Sequence, residues 1–275
     1  MQIEDGTFAG TLGQTYWRAW LPDSRPDGVV VLVHGLAEHI GRYEYLAATL
    51  TGEGYAVYGL DHHGHGKSAG TPGNIGRMSA LVADVHTLRG RAEAAHPGVR
   101  VFLVGHSLGG LITLDYLVTQ GETGLSGAVL SGAAVDPSVG SALERAIAPV
   151  LSTLVPNLQI VDLGGENVSR DQDVVAAYQS DPLVYHGKIR ARTGAESLKA
   201  IGRVTVGLPK LSLPVLVLHG GDDLLAAPSG GQLVHDTIGS TDKALKIYDG
   251  LYHEIFNEPE KDDVIGDVVA WLAAH

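Results

Sequence analysis

The sequence predicts an α/β fold, with a mostly parallel central sheet flanked by helices. Three observations carry that prediction. Short continuous apolar runs such as Val29-Val30-Val31-Leu32-Val33 recur along the chain, and such runs suit parallel strands covered on both faces. Segments with helical character separate many of them, the alternation of an α/β protein. The composition is globular, with 44% hydrophobic and 18% charged residues over 275 positions.

The elements follow in order. Residues 15–20 alternate and read as an early strand, and 29–33 form a buried strand bounded by Gly28 and His34-Gly35. Strands are expected at 55–60, 99–104, 128–130, 215–218 and 244–248, and helices at 42–50, 78–95, 108–119 and 262–272. One interval breaks the rhythm. Positions 132–213 carry no strand of this type, and a structureless loop of that length would be improbable. Within it, 141–155 places apolar residues at 142, 143, 146, 147, 150, 151 and 154, a helical spacing that Pro149 should kink or divide. The reading is a core of 1–132 and 211–275, with 133–210 as a helical insertion over one end of the sheet.

Charge and composition exclude several classes of function. The net charge of −12 opposes a phosphate backbone, so nucleic acid is not expected as a partner. A strongly anionic membrane would also repel the chain unless a local patch reverses the sign. With no cysteine there is no disulfide, no thiolate zinc site and no cysteine nucleophile. The start, MQIEDGTFAG, lacks the basic and apolar regions of a signal peptide, and no run of about 18 uncharged apolar residues suggests a membrane span. A cytoplasmic protein is expected, with peripheral membrane association left open.

The sharpest chemical signal is Gly105-His106-Ser107-Leu108-Gly109 between an apolar strand and an apolar helix. A serine at such a turn projects its hydroxyl above the sheet, and the flanking glycines let strand and helix approach closely. The competing interpretation is a glycine-rich turn with an ordinary serine helix cap; the strand and helix on either side favour a nucleophile. A serine needs a base and a third group to orient it, in the chain order Ser, acid, His. His253, in Gly250-Leu251-Tyr252-His253-Glu254 just past the last strand, fits the base. His219 ends a strand and reads as structural. Asp222 and Asp223 compete as the acid after strand 215–218, and Asp223 is preferred. An oxyanion hole needs two main-chain N–H groups, here those of Leu108 and Leu36. Asp61-His62-His63-Gly64-His65-Gly66-Lys67-Ser68 offers three weaker readings. As a phosphate loop it has Asp61 where the first glycine belongs, as a dinucleotide fingerprint it runs into Pro72, and as a metal site it lacks assignable further ligands. No metal or cofactor is expected.

Taken together, these segments resemble the α/β-hydrolase fold and, more narrowly, the monoacylglycerol lipases of the bacterial and mycobacterial kind. The resemblance rests on His34-Gly35-Leu36-Ala37-Glu38-His39 with Gly41-Arg42-Tyr43, on the Asp61–Ser68 loop, and on Gly105-His106-Ser107-Leu108-Gly109-Gly110. It continues through Tyr178-Gln179-Ser180-Asp181-Pro182-Leu183 and His219-Gly220-Gly221-Asp222-Asp223 to Gly250-Leu251-Tyr252-His253-Glu254-Ile255-Phe256-Asn257-Glu258. One departure is His63, where the family usually carries arginine. The resemblance implies a serine esterase that releases glycerol and fatty acid from monoacylglycerols, a cap over the sheet, and support for Asp223 as the acid. It also implies polar contacts to glycerol from Glu38, Arg42, His106 and Tyr178, although Glu38 and Arg42 could equally form a salt bridge orienting the oxyanion loop. A lysophospholipase, a short-chain carboxylesterase or a non-catalytic binding protein on the same fold are the alternatives. Between positions 137 and 161 the only charged residues are Glu144 and Arg145, amid Leu143, Ile147, Val150, Leu151, Leu154, Val155, Leu158 and Ile160. So apolar a stretch must be buried in the cap or a homodimer interface, line an acyl tunnel, or face lipid.

Overall fold

Valine- and leucine-rich runs with no polar alternation form strands only where both faces are covered, and the strands here show that covering. The computed structural model describes residues 1–137, 141–162 and 164–275, with the side chains of 142–145 excepted. Strands β1 (Gln2–Gly10), β2 (Gly13–Leu21), β3 (Gly28–Val33), β4 (Tyr55–Leu60), β5 (Arg100–His106) and β6 (Gly127–Ser131) come first, and β9 (Val215–Gly220) and β10 (Lys243–Tyr248) complete the sheet. Among the described residues it has eight strands in the order β1-β2-β4-β3-β5-β6-β9-β10. The pairs β1–β2 and β2–β4 are antiparallel, and every other pair is parallel.

Both faces of the central strands are core. Val29, Val31 and Val33 of β3 face one cluster with α2 (Met78–Ala95) and α3 (Leu108–Gln120). Val30 and Leu32 face the other, with α1 (Glu44–Gly52) and α8 (Lys261–Ala274). The edge hairpin is tied down by a buried carboxylate: Asp84 on α2 accepts from Thr11 N at 2.8 Å, Thr11 Oγ1 at 2.9 Å and Thr15 Oγ1 at 3.1 Å. An ionised carboxylate with three donors is stably buried where an unpaired one would not be.

Between β6 and β9 lie α4 (Ala142–Leu154), β7 (Gln159–Val161), α5 (Gln172–Ser180), β8 (Ile189–Arg190) and α6 (Ala191–Gly207), with β7 and β8 paired antiparallel. Asp115 on α3 takes a two-pronged salt bridge from Arg203 on α6, at 3.0 and 2.7 Å. Pro149 does not divide the helix: α4 runs through it. Pro149 itself is exposed. Leu143, Glu144 and Arg145 lie outside the described side chains. Four elements were not anticipated: β1, an exposed edge strand; the short pair β7 and β8 inside the segment read as helical; and α7 (Pro228–Thr237), whose Gly230-Gly231 obscures helical periodicity. The predicted helix at 42–50 is a 3₁₀ turn, Ile40–Tyr43, running into α1. Among the described residues no helix is long and apolar enough to cross a membrane.

The tightest packing lies where β3, β5 and α3 meet. A Cβ on Gly109 would stand 1.9 Å from Val33 O and 2.6 Å from His34 O, both main-chain atoms that cannot retreat. Gly109→Ala is therefore expected to cost about 3 kcal/mol or more. Gly90→Ala, mid-helix with nothing within 4 Å of its Cβ, should stabilise by about 0.5–1 kcal/mol. Urea unfolding of the two variants checks both, and equal midpoints would contradict the packing argument.

Candidate active site

Strand β5 ends and α3 begins at Ser107, which has φ +53° and ψ −119°. An L-residue adopts this conformation only when its surroundings impose it. Ser107 N donates to Ser131 O at 2.9 Å, and Ser107 O accepts from Ala134 N at 3.1 Å, so the continuation of β6 clamps the turn on both sides. A Cβ at Gly105 would meet Gly109 O at 2.5 Å. Strand and helix thus approach over glycine alone, leaving the Ser107 side chain half-exposed above the sheet.

His253 and Asp223 come from the loops after β10 and β9. His253 Nδ1 meets Asp223 Oδ2 at 2.7 Å. The other oxygen, Oδ1, accepts from Leu225 N at 2.8 Å and Ala226 N at 2.9 Å. His219 Nε2 lies 3.2 Å from Asp223 Oδ2 and 2.8 Å from Ala226 O, so the residue read as structural also braces the carboxylate. Burial alone would raise the Asp223 pKa, but the hydrogen bonds from His219 and His253 outweigh it and hold the carboxyl well below its usual range. Burial lowers His253, yet the Asp223 hydrogen bond and charge reverse this, and the imidazole titrates above its ordinary value. Asp222 faces solvent and gives its amide to Leu251 O. Ser107 and His253 flank Gly132, whose Cβ would lie 3.3 Å from His253 Nδ1. The short connection after β6 therefore packs against both the residue that bears the hydroxyl and the imidazole. Among the described residues no hydrogen bond joins them, a contact that is often long without substrate.

The loop after β3 carries Leu36. Ala37 sits at φ +69°, and Glu38 curls back so that Oε1 accepts from Gly35 N at 2.5 Å and Tyr43 OH at 2.7 Å. Arg42 Nη1 is 3.5 Å from Glu38 Oε2, while the same guanidinium forms a two-pronged pair with Glu254, Nη2 to Oε2 at 2.8 Å and Nη1 to Oε1 closer still. Burial pushes Glu38 up to about 7; Arg42 opposes that rise and the charge of Glu254 adds to it. The Tyr178 ring lies 4.8 Å from the Arg42 guanidinium. The amides of Leu36 and Leu108 donate to no protein acceptor among the described residues, Leu108 being the first residue of α3. His106 packs 4.7 Å from His253 and bonds Ser131 Oγ at 3.1 Å. Burial and then the charge of His253 hold His106 well below the ordinary histidine value.

The three weaker readings of the 61–68 loop find no support. Asp61 anchors main chain, accepting from Ile40 N and Lys67 N, both at 2.8 Å. His62 and His65 are buried, and burial drives them to about 3 and about 4. Among the described residues no group of three His, Asp or Glu side chains is arranged to hold a metal ion. Glu254 was missed as a site residue; it stands beside His253 in sequence, and that adjacency was the available signal.

A strained serine at a strand-to-helix turn of a mostly parallel sheet, in a chain whose two later loops carry an imidazole–carboxylate pair, is the arrangement of the α/β-hydrolase class. A family model described as "Serine aminopeptidase, S33" matches residues 24–260, and the chain belongs to that family. It is 42% identical to a monoacylglycerol lipase of Mycolicibacterium smegmatis over 98% of this chain and 96% of that one. It is 35% identical to a human monoglyceride lipase over 94% of this chain and 86% of the other. The crystal structure of Paleococcus ferrophilus monoacylglycerol lipase superposes with a TM-score of 0.83 at 31% identity, covering 100% of both chains.

The Asp223 pairing yields a direct test. Asp223→Asn removes the charge that raises His253, so the His253 pKa, followed by NMR titration of its ring, should fall below its wild-type value. Asp222→Asn should leave it in place, and the opposite ranking would show that Asp222 is the partner carboxylate.

Proposed function

We propose that the protein is a serine esterase that hydrolyses monoacylglycerols to glycerol and free fatty acid. The observation that carries this reading is the strained Ser107 turn together with the hydrogen-bonded His253–Asp223 pair, in a chain similar along nearly its whole length to monoacylglycerol lipases. Ser107 Oγ attacks the ester carbonyl while His253 Nε2 takes its proton. Asp223 Oδ2 holds the Nδ1–H tautomer and stabilises the imidazolium. The amides of Leu36 and Leu108 bind the oxyanion. As the tetrahedral intermediate collapses, His253 gives its proton to the departing glycerol oxygen. Water, deprotonated by His253, then cleaves the acyl-enzyme and frees the fatty acid.

The segment 133–210 serves as the cap in this reading, and Tyr178 and His106 supply polar groups to the glycerol end. Glu38 and Arg42 act differently. Their polar atoms are already engaged by Gly35, Tyr43 and Glu254, which favours bracing the oxyanion loop over direct contact with glycerol. The cap also offers a route to a poorly soluble substrate. Positions 146–161 carry no charge, and Leu154 is 74% and Val150 56% exposed, with Ile147, Val155, Leu158, Ile160 and Val161 exposed around them. Such a surface inserts into the boundary of a bilayer, making the protein a peripheral membrane enzyme.

Four experiments test the reading. Ser107→Ala should lower kcat by about 10⁴- to 10⁶-fold, with monoacylglycerol preferred by the wild type over di- and triacylglycerol and lysophospholipid; near-normal turnover in the folded variant sinks the mechanism. Because His253 must be neutral to act as base and titrates above its ordinary value, kcat/KM should fall as pH drops through a point above about 6.5. Arg42→Ala should reduce hydrolysis of a monoacylglycerol and of a p-nitrophenyl ester by the same factor; a loss confined to monoacylglycerol would instead place Arg42 on the glycerol. For docking, Val150→Asp with Leu154→Asp should abolish sedimentation with phosphatidylcholine vesicles while sparing a soluble short-chain ester.

A further inference from the structure

A cavity of about 490 Å³ opens where the loop before α2 meets the segment between β6 and β9. Leu12, His63, Asn74, Arg77, Pro156 and Arg192 line it. Its wall is firmly built. Arg190 donates to Pro72 O at 2.6 Å and Asn157 O at 2.8 Å, and Asn74 Nδ2 donates to Asn157 Oδ1 at 2.7 Å.

The two arginines inside it are anomalous on this chain. The net charge is −12, with 31 acidic residues available for pairing, yet among the described residues neither the Arg77 nor the Arg192 side chain makes an ion pair or hydrogen bond. Nearby carboxylates are committed elsewhere: Asp84 to Thr11 and Thr15, and Glu196 to Met78 N and Lys199. Both arginines also stand at helix starts, Arg77 as the N-cap of α2 and Arg192 in the first turn of α6. Two guanidiniums without a protein partner at one cavity make a place that an anion would satisfy, and the planar fork of arginine suits phosphate oxygens. Pro156, on the cavity wall, belongs to the uncharged segment that exposes Leu154, Val155 and Leu158. The cationic cavity and the apolar surface are therefore continuous.

We propose that this cavity binds the phosphate of an anionic phospholipid head group and so seats the apolar cap segment on a negatively charged membrane. The inference rests on the membrane-docking reading above. It gives the chain the local reversal of sign without which its net charge would keep it off such a surface.

Co-sedimentation with vesicles of pure phosphatidylcholine, and of equimolar phosphatidylcholine and phosphatidylglycerol, tests the proposal in the full chain. The double variant Arg77→Gln/Arg192→Gln should bind the mixed vesicles about 30-fold more weakly, the size expected for removing two surface cations from an anionic leaflet. Its binding to pure phosphatidylcholine and its turnover of a soluble short-chain ester should stay at wild-type values. Lys210→Gln/Lys261→Gln, a matched loss of two cations outside this cavity, should leave mixed-vesicle binding intact. An equal loss in that control would reduce the effect to net charge and overturn the site. Undiminished binding by the arginine variant would overturn it too, as would millimolar inorganic phosphate displacing the wild type from mixed vesicles, which would mark a soluble-phosphate site. Failure of the docking reading looks different: wild type and the Val150→Asp/Leu154→Asp variant would then bind phosphatidylcholine equally poorly.

Discussion

The turn at Ser107 is stable only because three other parts of the chain hold it. A residue at φ +53° and ψ −119° carries a conformational cost of about 1–3 kcal/mol. The main-chain bonds to Ser131 and Ala134, together with the close approach of α3 to β3 at Gly109, supply the compensation. That approach requires β3, β5 and β6 to be adjacent and in parallel register, with Val33 opposite Gly105 and His106 opposite Ser131. The loop after β3 is then delivered beside the serine, and a Cβ on Gly35 would lie 3.1 Å from Ser107 Cβ. The sheet order and the position of the proposed oxyanion loop follow from one steric requirement.

Buried carboxylates do the remaining positioning. Glu38 satisfies the Gly35 amide and draws Tyr43 and Arg42 around the loop after β3, while Arg42 reaches Glu254 beside His253. The loop after β3 and the loop bearing His253 are thereby joined by charge-assisted hydrogen bonds, although they lie at opposite ends of the sequence. Removing one member of such a network leaves another charge buried and unpaired, which costs more than the pair contributes. This is why Arg42 reads as architecture although its guanidinium stands close to the chemistry.

Much of this was legible in the sequence because local rules and tertiary demands agree there. The G-x-S-x-G run between an apolar strand and an apolar helix marks the turn without any structure, and the continuous valine run of β3 announces a strand buried on both faces. The rest depended on contacts that no local pattern encodes. Glu254 pairs with Arg42 across 212 positions. His219 gave the signal of a buried strand end, and only the folded loop turns its Nε2 toward Asp223. The edge strand β1 escapes because its exposed positions leave a weak alternation, and α7 because paired glycines dilute its propensity. Pro149 illustrates the converse, a residue that signals a helix boundary yet stands at an exposed position inside a continuous helix.

His106 and His253 are adjacent imidazoles in contrasting electrostatic environments. Their rings are 4.7 Å apart and both are buried, yet they titrate in opposite directions. Only His253 has a carboxylate on Nδ1; His106 has the neutral hydroxyl of Ser131. A histidine that gains a proton readily beside one that resists it can accept charge during a reaction without sharing it with its neighbour. His106, kept neutral, remains a hydrogen-bonding and packing group next to the serine. When His253 becomes an imidazolium, the resulting like-charge repulsion is avoided because His106 stays uncharged. The division of labour between two adjacent imidazoles is thus set by one carboxylate, Asp223, whose own ionisation is secured by four donors: Leu225 N, Ala226 N, His219 and His253.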